Sequence, residues 1–140
     1  MAEELLFTEA RSTSTGVKGR SITSARTNHW VVDLPPFHHG PGEESTPGEA
    51  FLGAVAACGA LLVECFAGEE GLPLKRVQAS IKGERLKSDP SWFRSIEMRF
   101  ELAGVDPKQA EALVAKFQAS CPLYRTVAAA TKMNMVVKVV

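Results

Sequence analysis

Thr46-Pro47-Gly48-Glu49-Ala50-Phe51-Leu52-Gly53-Ala54-Val55-Ala56-Ala57-Cys58 is the stretch whose reading decides the fold. A hydroxyl at the N-cap, proline at the first helical position and glutamate at the third form a capping box, so a helix starts at Thr46. From Ala50 to Val63 every residue is apolar or glycine, and Glu64 interrupts before Cys65-Phe66-Ala67-Gly68 closes the run. Fourteen such residues span about 21 Å at about 1.5 Å each, short of the roughly 30 Å of a bilayer core. The expectation is a buried soluble helix and no membrane span. A helix that is apolar all round must be covered on every side, which a small domain cannot supply alone. A homodimer that shares its core is the natural solution.

Outward from the helix, the chain reads as short elements. Upstream, strands are expected at Leu5 to Glu9, Val17 to Ser24 and Trp30 to Leu34, with Thr, Ser and Gly between them. Pro35 to Gly48 is dense in proline and glycine and reads as a loop within one domain of residues 1–140. Downstream, Val77, Ala79 and Ile81 alternate with polar residues, as do Ile96, Met98, Phe100 and Leu102. With Ser88-Asp89-Pro90-Ser91 between them, the two runs predict an antiparallel hairpin. Asp106-Pro107-Lys108-Gln109 repeats the cap-plus-proline start, and Ala110, Leu113, Val114 and Phe117 share one helical stripe. A short helix is expected from Ser120-Cys121-Pro122 to about Ala130, and a last strand from Met135 to Val140.

Composition narrows the function. The 140 residues carry 16 basic and 16 acidic side chains with no basic tract, so neither DNA nor RNA is an expected partner. Met1-Ala2-Glu3-Glu4 is acidic where a secretory signal would be basic, which points to the cytoplasm. Three cysteines at irregular spacing do not make a secreted disulfide framework, and no CxxC or Cys/His pair suggests zinc. His38 and His39 lie near Glu43 and Glu44, but adjacent histidines do not easily share one ion, so a solvated loop is expected. Trp30, Phe37 and Trp92 read as core or dimer packing before they read as walls of a substrate pocket.

Cys58 and Cys65 are seven positions apart on one helix, about 10.5 Å along its axis. That is beyond the roughly 7 Å that a disulfide tolerates between Cα atoms. Cys65 reads as a packing residue. Cys121 precedes Pro122 at a helix start and is either a cap or a reactive thiol. Cys58, about three turns inside its helix, gains little from the dipole and is expected to have a raised pKa unless a cation or hydrogen-bond donor stands beside it.

The Thr46 to Cys58 segment resembles the central helix of the OsmC/Ohr family, in which a proline stands eleven positions before a helix cysteine preceded by small residues. Ala119-Ser120-Cys121-Pro122-Leu123 is similar to that family's second motif, a Cys-Pro opening a late helix, and the order of elements agrees along almost the whole chain. The resemblance implies an α+β fold with antiparallel sheets around a long buried central helix, in an intertwined homodimer. It also implies thiol-dependent reduction of organic hydroperoxides, in which Cys58 attacks the peroxide and Cys121 resolves the product as a disulfide. A thiol donor such as a dihydrolipoyl protein would restore the pair, with no metal, flavin or nicotinamide. The rival implied function is a non-peroxidatic member that binds a small apolar ligand at the dimer interface. In the peroxidase pattern a glutamate follows the motif proline, where this chain has Gly48, with Glu49 one place later. The pattern also places an arginine shortly after a Thr-Gly, where Thr15-Gly16-Val17-Lys18-Gly19-Arg20 offers Lys18 without a gap or Arg20 with a two-residue shift.

Overall fold

The computed structural model describes residues 2–140. Its elements are β1 (Arg11–Ser14), β2 (Arg20–Ala25), β3 (Asn28–Asp33), a short 3-10 turn (Pro36–His38), α1 (Pro47–Glu69), β4 (Arg76–Glu84), β5 (Ser95–Ala103), α2 (Pro107–Ser120), α3 (Pro122–Ala128) and β6 (Lys132–Val139). They make two three-stranded sheets, ordered β1-β2-β3 and β4-β5-β6, so the class is α+β as expected. The chain divides into two compact units, the second beginning at Phe51.

The first unit is a meander of antiparallel strands, with Thr13 opposite Ile22 and Arg20 opposite Asp33. The expected strand at Leu5 to Glu9 does not form, and the first strand lies at Arg11–Ser14. Apolar side chains in the earlier segment find no cover, and Leu6 is 96% exposed. The polar β1 instead satisfies its backbone against β2, with Ser12 Oγ and Thr23 Oγ1 3.1 Å apart across the pair. Trp30 and Phe37 are exposed in the single chain, so of the expected core or dimer packing the protomer core is not their place.

In the second unit, β4 and β5 form the expected antiparallel hairpin. Ile96, Met98, Phe100 and Leu102 are buried, while Glu97 and Arg99 face out. β6, however, runs parallel to β5, so the sheets are mostly and not wholly antiparallel. The chain returns to the sheet through two helices, and that length of crossover lets a strand re-enter in the same direction. α2 is held at its start by the capping box of Asp106 and Gln109 and buries Ala110, Leu113, Val114 and Phe117, the stripe its periodicity predicts. Phe117 packs between Phe100 and Tyr124, with ring centroids 5.5 and 5.2 Å away.

α1 is 23 residues long, extending beyond its continuous apolar run of fourteen at both ends, about 34 Å at about 1.5 Å per residue. By length and composition it could therefore cross a bilayer, so the length argument against a membrane span does not hold. What characterises it is a stripe at intervals of four, Val55, Gly59, Val63 and Ala67, buried in the core of the second unit. Gly59 permits that approach, since a Cβ there would stand 2.8 Å from Phe100 Cζ. The other side of the helix, with Phe51, Ala54, Leu61 and Cys65, is exposed in the single chain. Cys65 is thus a surface residue of the protomer and not the packing residue expected, with its sulfur 3.7 Å from Glu69 Oε1. Trp92 is exposed as well.

Candidate functional site: a pair of facing thiols

Cys58 lies on α1 one position before Gly59, at the margin of the buried stripe, and is partly buried. Cys121 is the residue between α2 and α3, closing one helix and capping the next. Its N–H donates to Phe117 O at 2.9 Å, and its sulfur accepts the Tyr124 N–H at 3.4 Å. Pro122 at the first helical position suits that junction because it has no N–H to satisfy. Tyr124 is fixed in turn by Phe117 and by Gln118, whose Nε2 donates to its hydroxyl at 2.9 Å.

These two local arrangements bring Cys58 Sγ to 2.8 Å from Cys121 Sγ. The separation exceeds the roughly 2.05 Å of a disulfide bond, so both cysteines are free thiols in contact. Burial, together with the neighbouring Cys121, pushes the Cys58 thiol up to about 12. The Cys65 thiol is raised too, chiefly by the carboxylate of Glu69.

In the N-terminal unit, Arg20 is not a free cation. Its Nε and Nη2 meet Asp33 Oδ1 and Oδ2 at 2.8 Å each, and Nη2 also donates to Glu43 Oε2 at 3.0 Å. Asp33 Oδ2 further accepts the N–H groups of Glu43 and Glu44 at 3.1 Å. The Asp33 side chain has no solvent exposure, and its pKa is held at about 2, chiefly by the Arg20 hydrogen bonds against the cost of desolvation. The arginine is correspondingly raised above its ordinary value. In the sequence Asp33 carries no motif, and Glu43 reads only as an acid near the His38-His39 loop. The available signal was an acid near the end of a strand facing a basic residue across a hairpin. Lys18 is exposed and makes no ion pair among the described residues. It borders an open cavity of about 520 Å³ also lined by Ser14, Val17, Val32 and Leu34.

Glu49 forms the expected cap: its Oε2 accepts the Thr46 N–H at 2.8 Å, while its own N–H donates to Thr46 Oγ1 at 3.2 Å. Gly48 has open space where a side chain would stand.

The family described as OsmC-like protein matches residues 40–136. An OsmC-like protein from Mycoplasma pneumoniae is similar in structure at a TM-score of 0.85 and 16% identity, covering 96% of this chain and 98% of that one. An organic hydroperoxide resistance protein OsmC from Legionella pneumophila follows at 0.74 and 21%, covering 97% and 99%. An organic hydroperoxide resistance protein from Elizabethkingia anophelis follows at 0.75 and 14%, covering 99% and 100%. The comparison with curated proteins finds no match. Since the family match takes in both cysteines and more than half of the sequence, the chain belongs to the OsmC-like protein family.

Proposed function

We propose that this protein reduces organic hydroperoxides with Cys58 as the attacking thiolate and Cys121 as the resolving thiol. The observation that carries the reading is the 2.8 Å between the two sulfurs, because a resolving thiol must reach the sulfur that is oxidised. The Cys58 thiolate attacks the distal oxygen, the O–O bond breaks, and the alkoxide takes a proton and leaves as the alcohol. Cys58 is then a sulfenic acid. The Cys121 sulfur attacks it, water leaves, and a disulfide forms. Two electrons from an external dithiol, such as a dihydrolipoyl protein, return the pair to thiols.

The raised Cys58 pKa sets a requirement: a cation or proton acceptor must favour the thiolate during turnover. The family resemblance gives that role to an arginine whose place here falls to Lys18 without a gap or to Arg20 with a shift, and Glu49 is the third candidate. Arg20 already has carboxylate partners and Glu49 has its cap, so Lys18 is the candidate with no ion-pair partner among the described residues. We read residues 1–140 as one domain of a cytoplasmic homodimer that serves peroxide detoxification, the second copy covering the apolar outer face of α1.

Treating the reduced protein with tert-butyl hydroperoxide and counting free thiols tests the reading. Two thirds of the thiols are expected to disappear, leaving Cys65, and Cys58→Ser is expected to abolish the loss. Unchanged thiols would sink the proposal. They would favour instead a non-peroxidatic protein that binds a small apolar ligand, the reading that Gly48 and the raised Cys58 pKa support.

A further inference from the structure

The second sheet has an outer face that neither thiol uses. Ile81, Met98 and Met133 pack into the core, so their neighbours Lys82, Glu97, Lys132 and Asn134 stand on the opposite side of the pleat. The register sets Lys82, Glu97 and Asn134 in one row and Glu84, Ser95 and Lys132 in the next. With Arg94, these rows border a polar cavity of about 350 Å³ at the hairpin end of the sheet. The acids at this end are engaged. Glu84 accepts the Ser95 hydroxyl at 3.0 Å and lies 3.9 Å from Arg94 Nε, Glu97 lies 3.8 Å from Arg99 Nη2, and Asp89 accepts both the N–H and the hydroxyl of Ser91. The cations are not: Lys82, Arg85, Lys87 and Lys132 have no acidic partner within ion-pair distance among the described residues. In a chain of zero formal charge, this end of the sheet carries a local positive excess.

The β4–β5 connection extends from that end and presents Leu86 and Trp92, 46% and 51% exposed, on either side of its turn. It is held by its own hydrogen bonds: the Asp89 N–H donates to Leu86 O at 3.2 Å, the Arg94 N–H to Glu84 O at 2.9 Å, and Arg85 Nη1 to Pro90 O at 3.3 Å. A tip already ordered loses little freedom on docking. An exposed tryptophan and leucine among basic residues suit the surface of an anionic bilayer, where the ring and the aliphatic chain enter the interfacial layer and the cations meet lipid phosphates. A small soluble anion would satisfy the lysines but would leave Trp92 and Leu86 in water. We propose that the hairpin end of this sheet is a docking surface for an anionic membrane, with Trp92 and Leu86 in the headgroup layer and Lys82, Arg85, Lys87 and Lys132 against its phosphates. The chain then lies on the bilayer and does not span it. The surface takes no residue from α1 and neither cysteine of the pair, so it stands or falls apart from the peroxidase reading.

The experiment mixes the full chain with vesicles of equal parts phosphatidylglycerol and phosphatidylcholine, or of phosphatidylcholine alone, and measures the fraction that sediments with them. Binding is expected to the first and not to the second, and it should weaken as salt rises. Lys87→Gln and Lys132→Gln should each lower the partition coefficient about fivefold, the size of one basic residue near a charged surface. Lys108→Gln, on the first turn of α2, should change nothing. Trp92→Ala should weaken binding while leaving its salt dependence as it was. In a Trp30→Phe background, where Trp92 is the one remaining tryptophan, the anionic vesicles should shift the emission to shorter wavelength. Equal binding to both vesicles, binding to neither, or an equal loss in Lys87→Gln and Lys108→Gln would overturn the proposal. So would a Trp92 emission already at short wavelength without lipid and unmoved by it, which would give the tip to a second copy or another protein.

Discussion

Arg20 and Asp33 face each other across β2 and β3 and join through two hydrogen bonds of 2.8 Å, with the carboxylate wholly buried and the guanidinium 24% exposed. The same carboxylate holds the amides of Glu43 and Glu44, so one side chain ties the hairpin to the loop that precedes α1. Asp33→Ala leaves the guanidinium without its fork and two amides without their acceptor. It is expected to destabilise the N-terminal unit clearly and to speed hydrogen exchange at Glu43 and Glu44, whereas Lys18→Ala should leave both amides protected.

The direction of the Asp33 shift fixes a pH dependence. Its folded pKa of about 2 lies below the ordinary 3.8, so the stabilisation is complete above 3.8 and is lost as pH falls toward 2. Acid titration of the wild type, followed by amide exchange or near-ultraviolet dichroism, is expected to show this loss in that window. Asp33→Asn should remove this component from the profile while lowering stability at neutral pH.

Cys58 titrates in the opposite sense. Burial and its neighbour raise its pKa, so the thiol form dominates at neutral pH and reactivity must climb as pH rises. Its alkylation by iodoacetamide is expected to be slower than that of free cysteine and to increase about tenfold per pH unit through the neutral range. Cys121→Ala should lower its pKa by removing one of the raising influences while burial remains. A rate that is already flat at pH 7 would contradict this.

Gly59 and Gly48, both on α1, should respond oppositely to alanine. At Gly59 the new methyl meets Phe100 and Met98, and overpacking of about 1–3 kcal/mol outweighs a helix-propensity gain of up to about 1 kcal/mol. At Gly48 nothing stands in the way, so Gly48→Ala is expected to be stabilising by about 0.5–1 kcal/mol. Urea denaturation of the two variants checks both signs.

Leu61 is 65% exposed on the outer face of α1, beside Cys65 and one turn beyond Cys58. If a second copy covers that face, Leu61→Glu buries a charge in the interface, and light scattering is expected to show the dimer dissociating to monomer. An unchanged mass would place the dimer contact elsewhere.

The sequence by itself determined the elements whose signals are local. The capping boxes at Thr46 and Asp106, the alternation in β4 and β5, the stripe on α2 and the Cys-Pro helix start all lie within a few residues, and each forms as its pattern requires. Cys58 was legible as a thiol of raised pKa because the burial expected of an apolar helix already predicts it. Tertiary structure alone decided the rest, because non-local partners carry no mark in the local pattern. It left Leu5 to Glu9 unpaired and turned β6 parallel. It also gave Arg20 to Asp33 while Lys18 stayed without a partner. The two sulfurs meet only because Gly59 lets α1 close on Phe100 while Phe117 and Tyr124 fix the Cys121 junction. That is a matter of packing volume and could not be read from spacing.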